Sequence, residues 1–124
     1  MYANLHYYID VREEIVKLPP NAFIVIEGVR IYPLVKATIN IGRGLENDLV
    51  LDNLRVSRTH AQLRAIKGQF VLFDLNSTRG TFINGRRIIQ AILYPHDTIS
   101  LGDVILTFHQ EDPAPRPDLI DTVP

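Results

Sequence analysis

The sequence predicts an all-β fold, a two-sheet sandwich of about ten to eleven short strands, with one short helix ahead of it. Three observations predict it. From Ala22 onward, short runs rich in Val, Ile, Phe, Tyr and Thr are each closed by Gly, Pro, Asn or Asp. Within several runs the apolar residues alternate, as in Ile39 and Ile41 against Thr38 and Asn40, or Val104, Leu106 and Phe108 against Thr107. Three connections carry hairpin chemistry: Lys67-Gly68, Asn84-Gly85 and Gly102-Asp103.

The elements follow in order. Residues 1–21 read as a separate segment, in which Asp10 and Glu13 have the spacing of a capping box and Val11, Ile15 and Leu18 fall on one helical face. Pro19-Pro20 ends that predicted helix, which is too short to be stable alone and so must pack on the domain or on a partner. Strands are expected at 22–27, 29–34, 38–41, 49–50, 60–66, 69–74, 81–83, 86–88, 98–101 and 104–108. Phe70-Val71-Leu72-Phe73 is apolar on both faces, as in a central strand of a packed sandwich. Residues 22–109 therefore form the domain. Residues 110–124, with three closely spaced prolines, are expected to be a disordered tail.

Composition bounds the function. A chain of 124 residues, 46% hydrophobic, has material for one core. A formal net charge of −1 gives no general attraction to nucleic acid or a membrane surface, and neither is expected as a partner. The absence of cysteine removes disulfides, thiolate chemistry and cysteine-ligated metals. No secretory signal pattern is visible and no apolar stretch approaches the roughly 20 residues that span a bilayer, so the expected location is cytoplasmic.

The polar residues of interest sit in three interstrand segments: 41–44, 56–60, and 76–81 running on to 84–85. Between Gly42 and Arg87 there are seven arginines and one lysine against four acids, so this middle region is locally basic. Arginine suits a phosphate because its planar fork donates two parallel hydrogen bonds. The hydroxyls of Ser57 and Thr78 add donors, and Gly42, Gly44 and Gly80 let backbone amides approach an anion. Together these residues suggest a small anion site. Ser57, His60 and Asp52 are the residue types of a hydrolase triad, but no Gly-x-Ser-x-Gly turn surrounds the serine, and no enzymatic activity is expected. His6, His60, His96 and His109 have no metal-ligand spacing, a Walker-type loop is absent, and no cofactor or metal is expected.

The succession Gly42-Arg43, Ser57-x-x-His60, Asn76-Ser77-Thr78-x-Gly80-Thr81-x-x-Asn84-Gly85 and Asp97-x-Ile99-x-Leu101-Gly102 resembles the forkhead-associated (FHA) domain family in order and spacing over residues 22–109. The resemblance implies a phosphothreonine-binding interaction module. Arg43, Ser57, Arg58, Thr78 and Arg79 would contact the phosphopeptide: Arg43 pairs with the phosphate, Ser57 and Thr78 donate hydroxyls, and Thr78 lines the space for the threonine methyl. Gly42, His60, Gly80, Asn84 and Gly85 would support the site, with His60 as a structural brace. Arg79 stands where many members carry Asn, and His96 replaces a glycine often found before Asp97. The implied partners are threonine-phosphorylated proteins downstream of a Ser/Thr kinase, and the chain's own tail if Thr122 is phosphorylated. The alternative is an interaction module that works without phosphorylation, through its sheets or the 1–21 segment.

Overall fold

The computed structural model describes residues 8–11 and 14–111, and among them every regular element is a strand. In chain order these are β1 (Tyr8–Val11), β2 (Glu14–Lys17), β3 (Phe23–Ile26), β4 (Arg30–Pro33), β5 (Thr38–Gly42), β6 (Leu49–Val50), β7 (Ala61–Ile66), β8 (Gln69–Asp74), β9 (Thr81–Ile83), β10 (Arg86–Ile88), β11 (Gln90–Ile92), β12 (Thr98–Leu101) and β13 (Val104–His109). A six-stranded antiparallel sheet in the order β10-β9-β12-β13-β3-β4 faces a five-stranded sheet in the order β11-β8-β7-β5-β6. All pairs are antiparallel except the short β5–β6 pair. No helix among the described residues is long and apolar enough to cross a membrane.

The expected helix is corrected by the structure. Its described residues lie in two antiparallel paired strands, with Tyr8 opposite Lys17, Asp10 opposite Ile15 and Val11 opposite Glu14. Ile9, Val11, Ile15 and Val16 are β-branched, which stiffens χ1 against a helix and favours a pleated pair. A helix so short gains too few hydrogen bonds to offset its nucleation. The Lys17 stem lies against the turn at Gly68, and Leu18 just beyond it is buried in the core. Glu13 of the supposed capping box, and Thr122 with most of the expected tail, lie outside the described residues.

The core is the alternating inner face of both sheets. Ile24 and Ile26, Ile39 and Ile41, Leu63, Phe70 and Leu72, Ile99 and Leu101, and Leu106 and Phe108 are all buried. Phe70 and Phe108 meet edge-to-face across the sheets, with ring centroids 6.3 Å apart. The outer residues of β8 are half-buried, and the Arg64 guanidinium covers Phe73 at 4.4 Å, so the strand's second apolar face is shielded by one neighbour's side chain. The sequence reading missed β11. The chain leaves the six-stranded sheet at Ile88 and joins the five-stranded one at Gln90, and the carbonyl oxygen of Ile89 between them accepts from the Asp74 amide at 2.9 Å.

Two carboxylates fix the strand ends that carry the loops. Asp48 Oδ2 accepts from the Asn40 amide at 2.8 Å and Asp48 pairs with Lys36, which together hold its carboxyl below the ordinary aspartate range. At the end of β8, Asp74 Oδ1 accepts from Ser77 Oγ at 2.5 Å and Thr81 Oγ1 at 2.6 Å, and its Oδ2 accepts from the Ser77 amide at 3.2 Å. Ser77 Oγ accepts in turn from the Gly80 amide at 2.9 Å. Burial opposes the charged form of Asp74, but these donors outweigh it and keep its pKa below the ordinary value.

A lowered carboxyl pKa means that the folded state binds the proton more weakly than the unfolded chain. Asp74 therefore contributes stability above about pH 4 that is lost as pH falls through its depressed pKa. Denaturant unfolding followed from pH 7 to pH 2 is expected to show Asp74→Asn less stable than wild type at pH 7. The variant should also lose less on acidification below about pH 4. An acid limb identical to wild type would remove the carboxylate from this account.

Candidate functional site

The site is built where β5 runs into the 43–48 loop and meets the loop before β7. At Gly42 the backbones come so close that a Cβ would lie 2.3 Å from the Arg58 carbonyl oxygen and 2.8 Å from Asn47 Nδ2, so glycine is required for space. This approach lets the two loops lace together. The Arg43 amide donates to the Ser57 carbonyl at 3.0 Å and the Gly44 amide to the Arg58 carbonyl at 3.0 Å. Buried Asn47 adds two more bonds, from Nδ2 to the carbonyls of Gly44 (2.8 Å) and Arg58 (2.7 Å). Sequence reasoning missed Asn47, which looks like an ordinary turn residue.

Arg43 is half-buried, and its Nε donates to the Val56 carbonyl at 3.1 Å. One edge of the guanidinium is thus fixed by the protein, and the Nη groups remain for another acceptor. Ser57 Oγ accepts from the Thr78 amide at 3.0 Å, which leaves its own proton to donate outward.

His60, fully buried, joins the two loops from beneath. The Ser57 amide donates to Nδ1 at 3.0 Å, and Nε2 lies 2.9 Å from the Gly80 carbonyl oxygen. Only the neutral ring with its proton on Nε2 satisfies both contacts, since Nδ1 must accept and the carbonyl can only accept. The ring therefore ties the two loops together. The same geometry removes the triad: both ring nitrogens are committed to backbone groups and neither meets the Ser57 hydroxyl.

Arg43, Ser57, Thr78 and Arg79 line one open cleft of about 210 Å³, together with Leu54, Arg55 and Val56. Four of the five expected contact residues are thus brought together. Arg58 is not among the lining residues: its carbonyl is used in the lacing, and its guanidinium lies 3.7 Å from Glu46 at the exposed surface. Arg55, not singled out from the sequence, takes a place on the cleft wall. Its Nε is 2.9 Å from Asp103 Oδ2, and its carbonyl sits where a Cβ on Gly102 would come within 2.5 Å. The glycine of the Leu101-Gly102 motif was the available signal for this contact.

The remaining supports act at different distances. Gly80 has φ of +86° and the Arg87 side chain lies over it. Asn84 and Gly85 have φ of 50° and 83° and make the β9–β10 turn, at the opposite end of β9 from Thr81. There Asn84 Nδ2 donates to Asp97 Oδ1 at 2.9 Å and Asn84 Oδ1 accepts from the Thr98 amide at 2.9 Å. These two residues set the register of the hairpin and do not touch the cleft.

Comparison with known proteins agrees with this arrangement. The family model described as the FHA domain matches residues 39–102. Glycogen accumulation regulator GarA of Mycolicibacterium smegmatis is 35% identical over 94 residues, which is 76% of this chain and 56% of that protein. A structure of Mycobacterium tuberculosis EmbR in complex with a low-affinity phosphopeptide superposes with a TM-score of 0.71 at 34% identity, covering 73% of this chain and 24% of that one. A structure from work on phosphothreonine-dependent FHA domain interactions gives 0.69 at 29% identity, covering 73% of this chain and 96% of that one. The chain spans between 9% and 62% of the length of the curated relatives it matches. Sheet order, the braced loops and the match across more than half of its residues lead to one conclusion: this chain belongs to the FHA domain family.

Proposed function

We propose that residues 22–109 form a module that recognises phosphothreonine in a partner protein, and that the chain acts as a non-catalytic adaptor in Ser/Thr kinase signalling in the cytoplasm. The observation that carries this reading is that Arg43, Ser57 and Thr78, from three separate loops, line one open cleft. A phosphate monoester bears about −1.5 to −2 charges near pH 7 and offers three strong acceptor oxygens. Arg43, with Nε already held by Val56, supplies the countercharge, and Ser57 supplies a hydroxyl donor. In this reading Thr78, on the same cleft, adds a donor and lines the space for the threonine methyl, and Arg79 contacts the peptide. Arg58 acts through its carbonyl in this reading. The phosphopeptide bound by EmbR and the phosphothreonine dependence described for the other FHA structure support the same ligand class.

A phosphothreonine peptide is expected to bind with a micromolar dissociation constant, about −8 kcal/mol. Arg43→Ala should weaken binding by about 2 to 5 kcal/mol in calorimetric titration, because the phosphate loses its main countercharge. Wild-type affinity in that variant would end the assignment of the site.

Affinity should also fall as pH drops below about 6, where the free phosphate takes up its second proton and the dianion that the cleft favours is depleted. The same peptide with Glu in place of phosphothreonine should bind weakly and show no transition near pH 6. A flat pH profile for the phosphopeptide between pH 7.5 and pH 5 would contradict recognition of the dianion.

A further inference from the structure

The arginines around the cleft are not equivalent. Arg55 is paired with Asp103 and Arg58 lies beside Glu46, and Asp74 beneath the loop is turned to Ser77 and Thr81. Among the described residues, Arg43, Arg79 and Arg87 have no carboxylate partner. Arg87 is the informative one. On β10 it lies opposite Phe82 of β9, so its side chain shares the outer face with Phe82 and, one diagonal step away, Gly80. An added Cβ on Gly80 would be 2.8 Å from Arg87 Nε and 3.0 Å from its Cζ, which puts the guanidinium directly against the 76–80 loop. The lack of a side chain at position 80 is what makes room for it. The cation therefore sits beside the backbone that links cleft-lining Thr78 and Arg79 to β9.

A bound phosphate neutralises at most about two positive charges. With the phosphate held at Arg43, Arg79 and Arg87 remain on the 76–80 side of the cleft without an ion-pair partner, against the single Asp74 carboxylate that Ser77 and Thr81 already bind.

We infer that Arg87 is a specificity-determining residue, and that the cleft prefers phosphothreonine segments carrying an acidic side chain, or a second phosphorylated residue, where the peptide passes over Gly80. This rests on the phosphopeptide reading above and adds to it the chemistry of the flanking residue. The Arg79-Gly80-Arg87 arrangement gives the acid a bidentate partner on an exposed surface, so it sets preference between peptides more than total affinity.

The test is fluorescence anisotropy with phosphothreonine peptides in which each flanking position is changed in turn between Gln and Glu. For wild type, Glu at one position should tighten binding about three- to fivefold, and phosphoserine there about tenfold, with the gain shrinking in high salt. In Arg87→Gln the Glu-to-Gln ratio at that position should collapse to about one. In Arg87→Glu it should invert, with Lys favoured there. A wild-type scan that is flat on peptides that do bind would overturn this inference alone, as would an undiminished ratio in Arg87→Gln. Failure of every phosphothreonine peptide to bind would overturn the proposed function, and this inference with it.

Discussion

The imidazole of His60 reaches from the amide of Ser57 to the carbonyl of Gly80, and because it is fully buried both groups depend on it for their hydrogen bonds. Those two groups belong to different loops. Without the ring, the loop that carries Arg55 to Ser57 and the loop that carries Thr78 and Arg79 would be joined by the Thr78 to Ser57 bond and, at their base, by the Leu75 amide on the His60 carbonyl. The two sides of the cleft keep one separation because a rigid planar group of fixed width lies beneath them. The ring must stay neutral to do so, with one nitrogen accepting and the other donating.

Around this brace, the loops are shaped by backbone contacts more than by side-chain bulk. The close approach at Gly42 and the two bonds from Asn47 place the Ser57 and Arg58 carbonyls against the end of β5. The Val56 carbonyl takes Arg43 Nε, so the guanidinium surrenders less freedom when it meets a ligand. The Asp74 cluster does the same for the other loop, holding Ser77 and Thr81 while Gly80 turns through a positive φ. Affinity in such a site comes from donors that are already aimed.

The strands and most of the cleft were legible because local signals and tertiary packing agree there. Alternation at 38–41 and 104–108 reports which face is buried, and Asn84-Gly85 can make only a tight turn. The segment before the sandwich was misread because Val11 and Ile15 satisfy both a helical and a strand pattern, and pairing of β1 with β2 decided between them. β11 was missed because no turn residue marks the switch from one sheet to the other in Ile88-Ile89-Gln90-Ala91-Ile92. Arg55 and Arg58 are alike as residues in a chain. Arg55 lies on the cleft wall and Arg58 does not, and the close approach of the Arg55 carbonyl to Gly102 joins positions far apart in the chain. Asn47 and Asp74 were equally silent, since their partners are backbone groups and hydroxyls fixed only in the folded loops.

The outermost strands of the two sheets bear on how a partner chain can be received. β4 begins with Arg30 and ends with Pro33, β10 presents Arg86 and Arg87, and β6 and β11 have only two and three residues. Charge, a missing donor and brevity all make poor templates for ladder extension. A second polypeptide therefore finds few main-chain bonds along these flanks. The same blunted margins guard the sandwich against edge-to-edge aggregation.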